Sequence, residues 1–239
     1  MLILGLNKTT LLDYPEHVAA TIFTGGCNLR CPFCHNRELV FARESIDAGM
    51  ITPYSEDEIL SFLKKRRGIL TGVCITGGEP TLHQDLPLFL SRIKELGMLV
   101  KLDTNGFHPD VLHHLLNEKL IDYCAIDIKN SPAHYADTVG LSSIDLGPLR
   151  ESVDCLLSLN GSFPYEFRTT IVKELHSEED MYAIREWIAG ADQYFLQSYT
   201  DSDQVISSGY HAHDTDTLQH FASICRQTIP NVQLRGIDL

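Results

Sequence analysis

The sequence predicts an α/β chain of parallel strands, built either as a full or partial barrel or as a doubly wound sheet. Three observations carry this. Short apolar runs rich in β-branched and aromatic residues recur along the chain, and amphipathic helical patterns lie between most of them. The chemically unusual residues fall just after the runs, where both architectures keep their sites, at the carboxyl ends of the strands.

In chain order the strand-like runs are residues 18–23, 73–76, 99–104, 122–128, 165–172, 193–199 and 232–235. The helical patterns cover 55–67, 86–96, 109–116, 149–159, 178–189 and 214–226. Boundary signals agree with them. Ser55 precedes Glu58 at capping-box spacing, Ser177 precedes Asp180 in a weaker version, and Gly68, Gly97 and Gly190 follow helical runs as C-caps do. No repeat or low-complexity linker interrupts the alternation, so strand–helix–strand units with right-handed crossovers follow. At 239 residues a single domain over 1–239 is expected.

The formal net charge is −13, which argues against a general nucleic-acid binder, because phosphate contact needs clustered positive charge. The one basic run, Lys64-Lys65-Arg66-Arg67, closes a helical pattern before Gly68, where cations meet the negative end of the helix dipole. No apolar run is long enough to span a bilayer, and Met1 leads into Leu-Ile-Leu-Gly without a charged leader, so a cytoplasmic protein is expected. Seven cysteines in such a chain point to metal or catalytic use rather than disulfides. Cys74, Cys124, Cys155 and Cys225 stand singly in apolar stretches and read as small buried hydrophobes. His211-x-His213-Asp214 reads as an N-cap aspartate beside two exposed histidines, not as a metal site.

Cys27, Cys31 and Cys34 are different. They form CxxxCxxC in one loop after the 18–23 run, a spacing at which three thiolates can face one metal centre. Three protein ligands leave one iron of a four-iron cluster open to a small molecule. The rival is a structural zinc with His35 as fourth ligand, although His35 adjoins Cys34 with little slack to turn back. After the next run comes Gly77-Gly78-Glu79-Pro80, where paired glycines let backbone approach a ligand and Glu79 offers an acceptor for an ammonium. Asp127 and Lys129, two apart at a strand end, face one side. No second cysteine cluster follows the first, which argues against auxiliary iron–sulfur centres.

With CxxxCxxC and Gly-Gly-Glu-Pro in this order, the chain resembles the radical S-adenosylmethionine (SAM) superfamily. More narrowly it resembles the activating enzymes of glycyl-radical enzymes. The likeness runs from Asp13-Tyr14-Pro15 through Phe23-Thr24-Gly25-Gly26-Cys27 and Cys34-His35-Asn36-Arg37 to Asp127-Ile128-Lys129, then thinly to Arg235. Leu12-Asp13-Tyr14-Pro15, Lys64-Lys65-Arg66-Arg67-Gly68, Lys101-Leu102-Asp103-Thr104-Asn105-Gly106 and Phe167-Arg168-Thr169-Thr170 are most similar to activating proteins of anaerobic ribonucleoside-triphosphate reductase. Three departures stand out: Glu16-His17 where the pattern has Gly and a basic residue, Gly26 where Gln is usual, and Lys173-Glu174 where Pro-Gly is usual.

The resemblance implies a partial (β/α)6 TIM-like barrel with an extra C-terminal strand. It implies a [4Fe–4S] cluster on Cys27, Cys31 and Cys34 and S-adenosylmethionine as cofactor, cleaved reductively to methionine and a 5′-deoxyadenosyl radical. Phe33, Cys34 and His35 would border the adenine, and Gly77, Gly78 and Glu79 the methionine amino group. Asp127 and Lys129 would lie by the ribose and carboxylate, with Arg168 on the carboxylate and Gln197 by the adenosyl group. Asp103 and Thr104, with the Ala125 carbonyl and Asp127, would match a monovalent-cation site. No side-chain acid or base is needed for hydrogen abstraction, so no catalytic residue is named. The implied partners are a glycyl-radical enzyme, foremost anaerobic ribonucleotide reductase, and a one-electron donor such as flavodoxin or ferredoxin, with no nucleic acid or membrane. The alternatives are activation of a pyruvate formate-lyase type enzyme, radical chemistry on a small metabolite, and a zinc-stabilised binding module without catalysis.

Overall fold

A computed structural model of the chain describes residues 1–237. It resolves into two compact units of interleaved segments. The first takes Met1–Asn28, Asn36–Thr104 and His108–Cys124; the second takes Leu29–His35, Asn105–Phe107 and the chain from Ala125 onward.

The first unit contains β1 (Ile3–Thr10), β2 (Ala19–Thr24), α1 (Arg37–Val40), α2 (Ala42–Asp47), α3 (Glu56–Lys65), β3 (Gly72–Gly77), a 3-10 turn (Pro80–Leu82), α4 (Leu86–Glu95), β4 (Leu99–Thr104) and α5 (Pro109–Asn117). β2, β3 and β4 pair in parallel, with Thr24 opposite Gly77, so the loops after β2 and β3 leave the sheet side by side. β2 and β3 are buried on both faces through most of their length, as strands under parallel crossovers are. α3 carries the expected capping box, Ser55 Oγ accepting from the Glu58 N–H and Glu58 from the Ser55 N–H. Gly68 and Gly97 have φ of +83° and +77°, the left-handed C-cap geometry.

β5 (Tyr123–Asp127) begins in the first unit and ends in the second. The second unit continues with α6 (Tyr135–Thr138), α7 (Gly147–Ser158), β6 (Tyr165–Ile171), α8 (Glu178–Trp187), β7 (Tyr194–Ser198), α9 (Thr215–Cys225) and β8 (Val232–Arg235). β6, β7 and β8 pair in parallel. Ser177 and Asp180 close a full capping box on α8, and Asp214 caps α9 by accepting from the Thr217 N–H at 2.7 Å.

The eight strands follow chain order in one mostly parallel sheet. The extra C-terminal strand is β8. β1 is a further strand that the sequence pattern did not disclose. It runs antiparallel to β2, and its register shifts between Ile3 and Gly5 and again between Asn7 and Thr10. Those irregularities break the alternation of buried and exposed positions by which a strand is read.

Candidate functional site

The Gly-Gly-Glu turn is knitted to the end of β2. The Gly78 N–H donates to the Thr24 carbonyl at 2.9 Å and the Glu79 N–H to the Gly26 carbonyl at 2.8 Å. Gly77 has φ +120°, and a Cβ on Gly78 would stand 1.9 Å from the Gly26 oxygen. The two glycines are thus required by the close approach of one backbone to another, a reason the motif alone did not give. Glu79 is 1% exposed. Its Oε1 accepts from the Thr81 N–H (3.1 Å), the Thr81 hydroxyl (2.6 Å) and the Thr104 hydroxyl (2.7 Å). The carboxylate is held in one orientation before any ligand arrives. On β4, Asp103 meets the Lys101 ammonium, which is 2% exposed and also lies over the Tyr123 ring. Thr104 serves Glu79 and Asp103 serves Lys101, two internal contacts at positions expected to meet a monovalent cation.

The cysteine loop crosses from the first unit into the second. Cys27, Cys31 and Cys34 form no disulfide, Cys31 buried and the others partly exposed. The Cys34 N–H donates to the Cys31 carbonyl at 3.0 Å, closing a turn that sets the last two cysteines. Around it, the Arg30 N–H donates to the Val139 carbonyl, the Ser207 N–H to the Pro32 carbonyl and the Ile206 N–H to the Cys34 carbonyl. Phe33 is buried. His35 donates from Nε2 to the Thr200 carbonyl and stacks on Tyr199 at 5.5 Å. Among the described residues, no three His, Cys, Asp or Glu side chains already stand as a metal site. The fit of the loop to an iron–sulfur cluster rests on its donor set, three thiols outside any disulfide on an anchored turn.

In the second unit β5, β6 and β8 carry a row of charges. Asp127 receives the Lys129 ammonium at 3.0 Å and the Arg168 Nε at 2.9 Å. Burial would raise the Asp127 pKa, but the Arg168 and Lys129 charges override it and hold the carboxyl well below the usual carboxylate range. Burial would likewise lower Lys129, and Asp127 overrides it and holds the ammonium above its ordinary value. Arg168 also approaches Glu166 at 3.9 Å, and Arg235 grips Glu166 with both Nη atoms at 3.0 Å. Gln197, beside Arg235 in the β7–β8 register, is exposed. Lys101, Glu166 and Arg235 were not singled out from the sequence. Lys101-x-Asp103 and Glu166-x-Arg168 carry the same two-residue spacing as Asp127-x-Lys129, which is the signal that was there to read. The isolated cysteines follow expectation at Cys74, Cys124 and Cys225, all fully buried, whereas Cys155 on α7 is only half-buried.

The model of the Radical SAM superfamily matches residues 21–158, more than half of the chain. The chain belongs to the radical SAM superfamily. The zinc-stabilised, non-catalytic module is thereby set aside: this is a radical SAM enzyme, and the superfamily's cofactors are a [4Fe–4S] cluster and S-adenosylmethionine. A Methanocaldococcus jannaschii protein named for glycyl-radical enzyme activation is 32% identical over 251 residues, covering 99% of this chain and 97% of that one. The 7-carboxy-7-deazaguanine synthase of Thermococcus kodakarensis is 31% identical over 122 residues, 45% of this chain and 47% of that one. Among solved structures, Streptococcus suis SuiB bound to S-adenosylmethionine matches with a TM-score of 0.65 at 16% identity, over 89% of this radical SAM chain. The chain spans about half of SuiB, 49% of its length. This last likeness shows the shared fold. Among the described residues no helix is long and apolar enough to cross a membrane.

Proposed function

We propose that this radical SAM enzyme activates a glycyl-radical enzyme, with anaerobic ribonucleoside-triphosphate reductase as the partner and a flavodoxin or ferredoxin as one-electron donor in the cytoplasm. The observation that carries the reading is the end-to-end match to the M. jannaschii protein named for this activity, 99% of one chain against 97% of the other. The deazaguanine synthase match stops near half of each chain and supports radical chemistry on a small metabolite as the second reading. The reductase is preferred among partners for the wording of residues 12–15, 64–68, 101–106 and 167–170. The family match draws on segments of both compact units, and we take residues 1–239 as one radical SAM domain.

In this reading the thiolates of Cys27, Cys31 and Cys34 hold the cluster. Phe33, Cys34 and His35 border the adenine; Gly77, Gly78 and Glu79 meet the methionine amino group. Asp127 and Lys129 lie by the ribose and carboxylate, Arg168 takes the carboxylate, and Gln197 meets the adenosyl group. Asp103 and Thr104 belong to a monovalent-cation site. When bound, the cluster and S-adenosylmethionine supply one-electron cleavage of the sulfonium and abstraction of a glycine Cα hydrogen. The chain's residues bind and orient. Glu79, fixed by three donors, is a preformed acceptor for an ammonium, which lowers the cost of ordering it on binding. Asp127 stays anionic, holds the Lys129 ammonium above its ordinary value and aims both Lys129 and Arg168. Buried Phe33 keeps water from its neighbourhood.

The test is anaerobic reconstitution with iron and sulfide, then strong reductant and S-adenosylmethionine. 5′-Deoxyadenosine is expected by chromatography, and a glycine-centred doublet is expected in the electron-spin spectrum of the reductase after incubation. A cluster-loaded chain that forms no 5′-deoxyadenosine removes the reading; a doublet on a formate-lyase type enzyme and not on the reductase reassigns the partner.

A further inference from the structure

The connection from β7 to α9, residues 199–214, has no helix or strand of its own and exceeds the about 2–6 residues usual between such elements. Its first half is bonded to the cysteine loop. The Ser207 N–H donates to the Pro32 carbonyl at 2.8 Å and the Ile206 N–H to the Cys34 carbonyl at 3.2 Å. His35 donates to the Thr200 carbonyl and stacks on Tyr199, and Val205 is buried. The two carbonyls flank the turn that the Cys34 N–H closes on the Cys31 carbonyl, so the connection is tied to the backbone that sets Cys34. All of these residues belong to the second unit.

The second half is bonded to the segment after β6. The Lys173 N–H donates to the His211 carbonyl at 2.9 Å, and His213 Nε2 to the His176 carbonyl at 3.3 Å. Glu174 takes the His211 N–H on Oε2 at 2.8 Å and the His211 Nδ1–H on Oε1 at 2.7 Å. One carboxylate thus fixes both the backbone and the ring of a single residue, a charge-assisted pair of the stronger kind. Its oxygens serve no other residue among the described residues. Three of these four hydrogen bonds depend on Lys173-Glu174, the departure from Pro-Gly, because a proline has no N–H to give and a glycine no carboxylate. Residues 208–210 alone separate Ser207 from His211, and a chain so short, reaching at most about 3.6 Å per residue, carries a shift of one to the other.

We propose that Glu174 is a positioning residue: by latching His211 it holds the 199–214 connection as a strap, and through the Ile206 and Ser207 amides the strap keeps the turn before Cys34 in the geometry that holds the cluster. The inference rests on the reading of Cys31 and Cys34 as cluster ligands. It is tested with Glu174→Ala, which removes both acceptors, and Glu174→Gln, which keeps an oxygen for the His211 N–H and an amide for Nδ1. Hydrogen–deuterium exchange is followed by mass spectrometry on the anaerobically reconstituted chain and, independently of any cluster, on the metal-free full chain. Glu174→Ala is expected to speed exchange at Ile206, Ser207 and Cys34 about tenfold, the loss of one charged contact, with exchange in β2 and β3 unchanged. Glu174→Gln is expected to stay within about threefold of wild type. The reconstituted chains are also challenged with an iron chelator, and Glu174→Ala is expected to lose its iron–sulfur absorbance about tenfold faster than wild type. Unchanged exchange at those three amides, an even rise over the whole chain, or Glu174→Gln as labile as Glu174→Ala overturns the latch. Faster exchange with unaltered cluster loss overturns its service to the cluster. If the wild-type chain takes up no cluster, the functional reading falls, and exchange in the metal-free chain still decides whether Glu174 holds the strap.

Discussion

Cys27 and Cys34 are partly open to solvent, while Cys74, Cys124 and Cys225 are fully buried. Burial pushes the Cys225 thiol up to about 12, so at pH 8 it is almost wholly in the unreactive protonated form. An alkylating reagent added to the metal-free native chain is therefore expected to mark Cys27 and Cys34 and to spare Cys74, Cys124 and Cys225 until denaturant is added, as read by peptide mass mapping. Equal labelling of Cys225 and Cys34 in the native chain would sink this account of the thiols. At Gly78 the prediction is steric. A methyl group there would sit 1.9 Å from the Gly26 oxygen, backbone against backbone, so Gly78→Ala has to spread the turn and is expected to destabilise by about 1–3 kcal/mol, measured as a lower denaturation midpoint. An unchanged midpoint would mean that the two loops are not in contact. The loop cysteines and the turn were legible because their spacing is local. The half-burial of Cys155 was not, because it depends on which face α7 turns inward. Nor was the grip of Arg235 on Glu166, sixty-nine positions apart in the chain, since no local pattern encodes a long-range pair.

At the scale of elements, the longer helices and the strands after β1 were legible because each presents a full period of apolar positions and most have boundary residues. α1, α2 and α6 were not. They span four to six residues and have no side-chain cap, too short to display a helical period and stable only through tertiary packing. The connection from β1 to β2 shows how a sequence departure becomes an element-level strain. Glu16 has φ +66°, in the left-handed region, at the position where the resembled pattern has glycine. The Tyr14 carbonyl accepts from the His17 N–H across it, so the turn is closed with a non-glycine residue in strained conformation. Glu16→Gly is expected to relieve that strain and raise stability by up to about 1 kcal/mol, the relief of the left-handed Cβ clash less the added entropy of glycine in the unfolded chain. A drop in the denaturation midpoint on this substitution would show that Glu16 makes a contact worth more than the strain.

The pH response of the whole molecule follows from two histidines that fold in neutral form. The Val172 N–H donates to His176 Nδ1 at 3.1 Å, the Val172 carbonyl stands 3.2 Å from the same nitrogen, and Nε2–H donates to the Lys129 carbonyl at 2.8 Å. Burial lowers the His176 pKa, and burial lowers that of His83, whose Nε2 meets the Gly25 carbonyl. Each is therefore depressed relative to the unfolded chain, where histidine titrates near about 6.5. The unfolded state then binds more protons below that value. The stabilising contribution is complete above about pH 6.5 and is lost as the pH falls toward the folded pKa values, with a slope of at most about 1.4 kcal/mol per pH unit for each ring. Asp127 and Asp180 do not blur this window. Burial would raise both; the Arg168 and Lys129 charges at the first, and hydrogen bonds from Ser131, Ser177 and His134 at the second, hold them below the ordinary carboxylate range, so both stay ionised from pH 8 to 5. Denaturation midpoints of the metal-free chain are expected to be level from pH 8 to 7 and to decline from 6.5 to 5, with His176→Gln flattening part of the decline. Midpoints that hold constant or rise toward pH 5 would mean that neither ring is confined to its neutral form. Since His176 holds the Lys129 carbonyl and His83 the Gly25 carbonyl, the same protonations would loosen the backbone beside the Asp127 row and beside the cysteine loop. Affinity for S-adenosylmethionine should fall over that same pH interval.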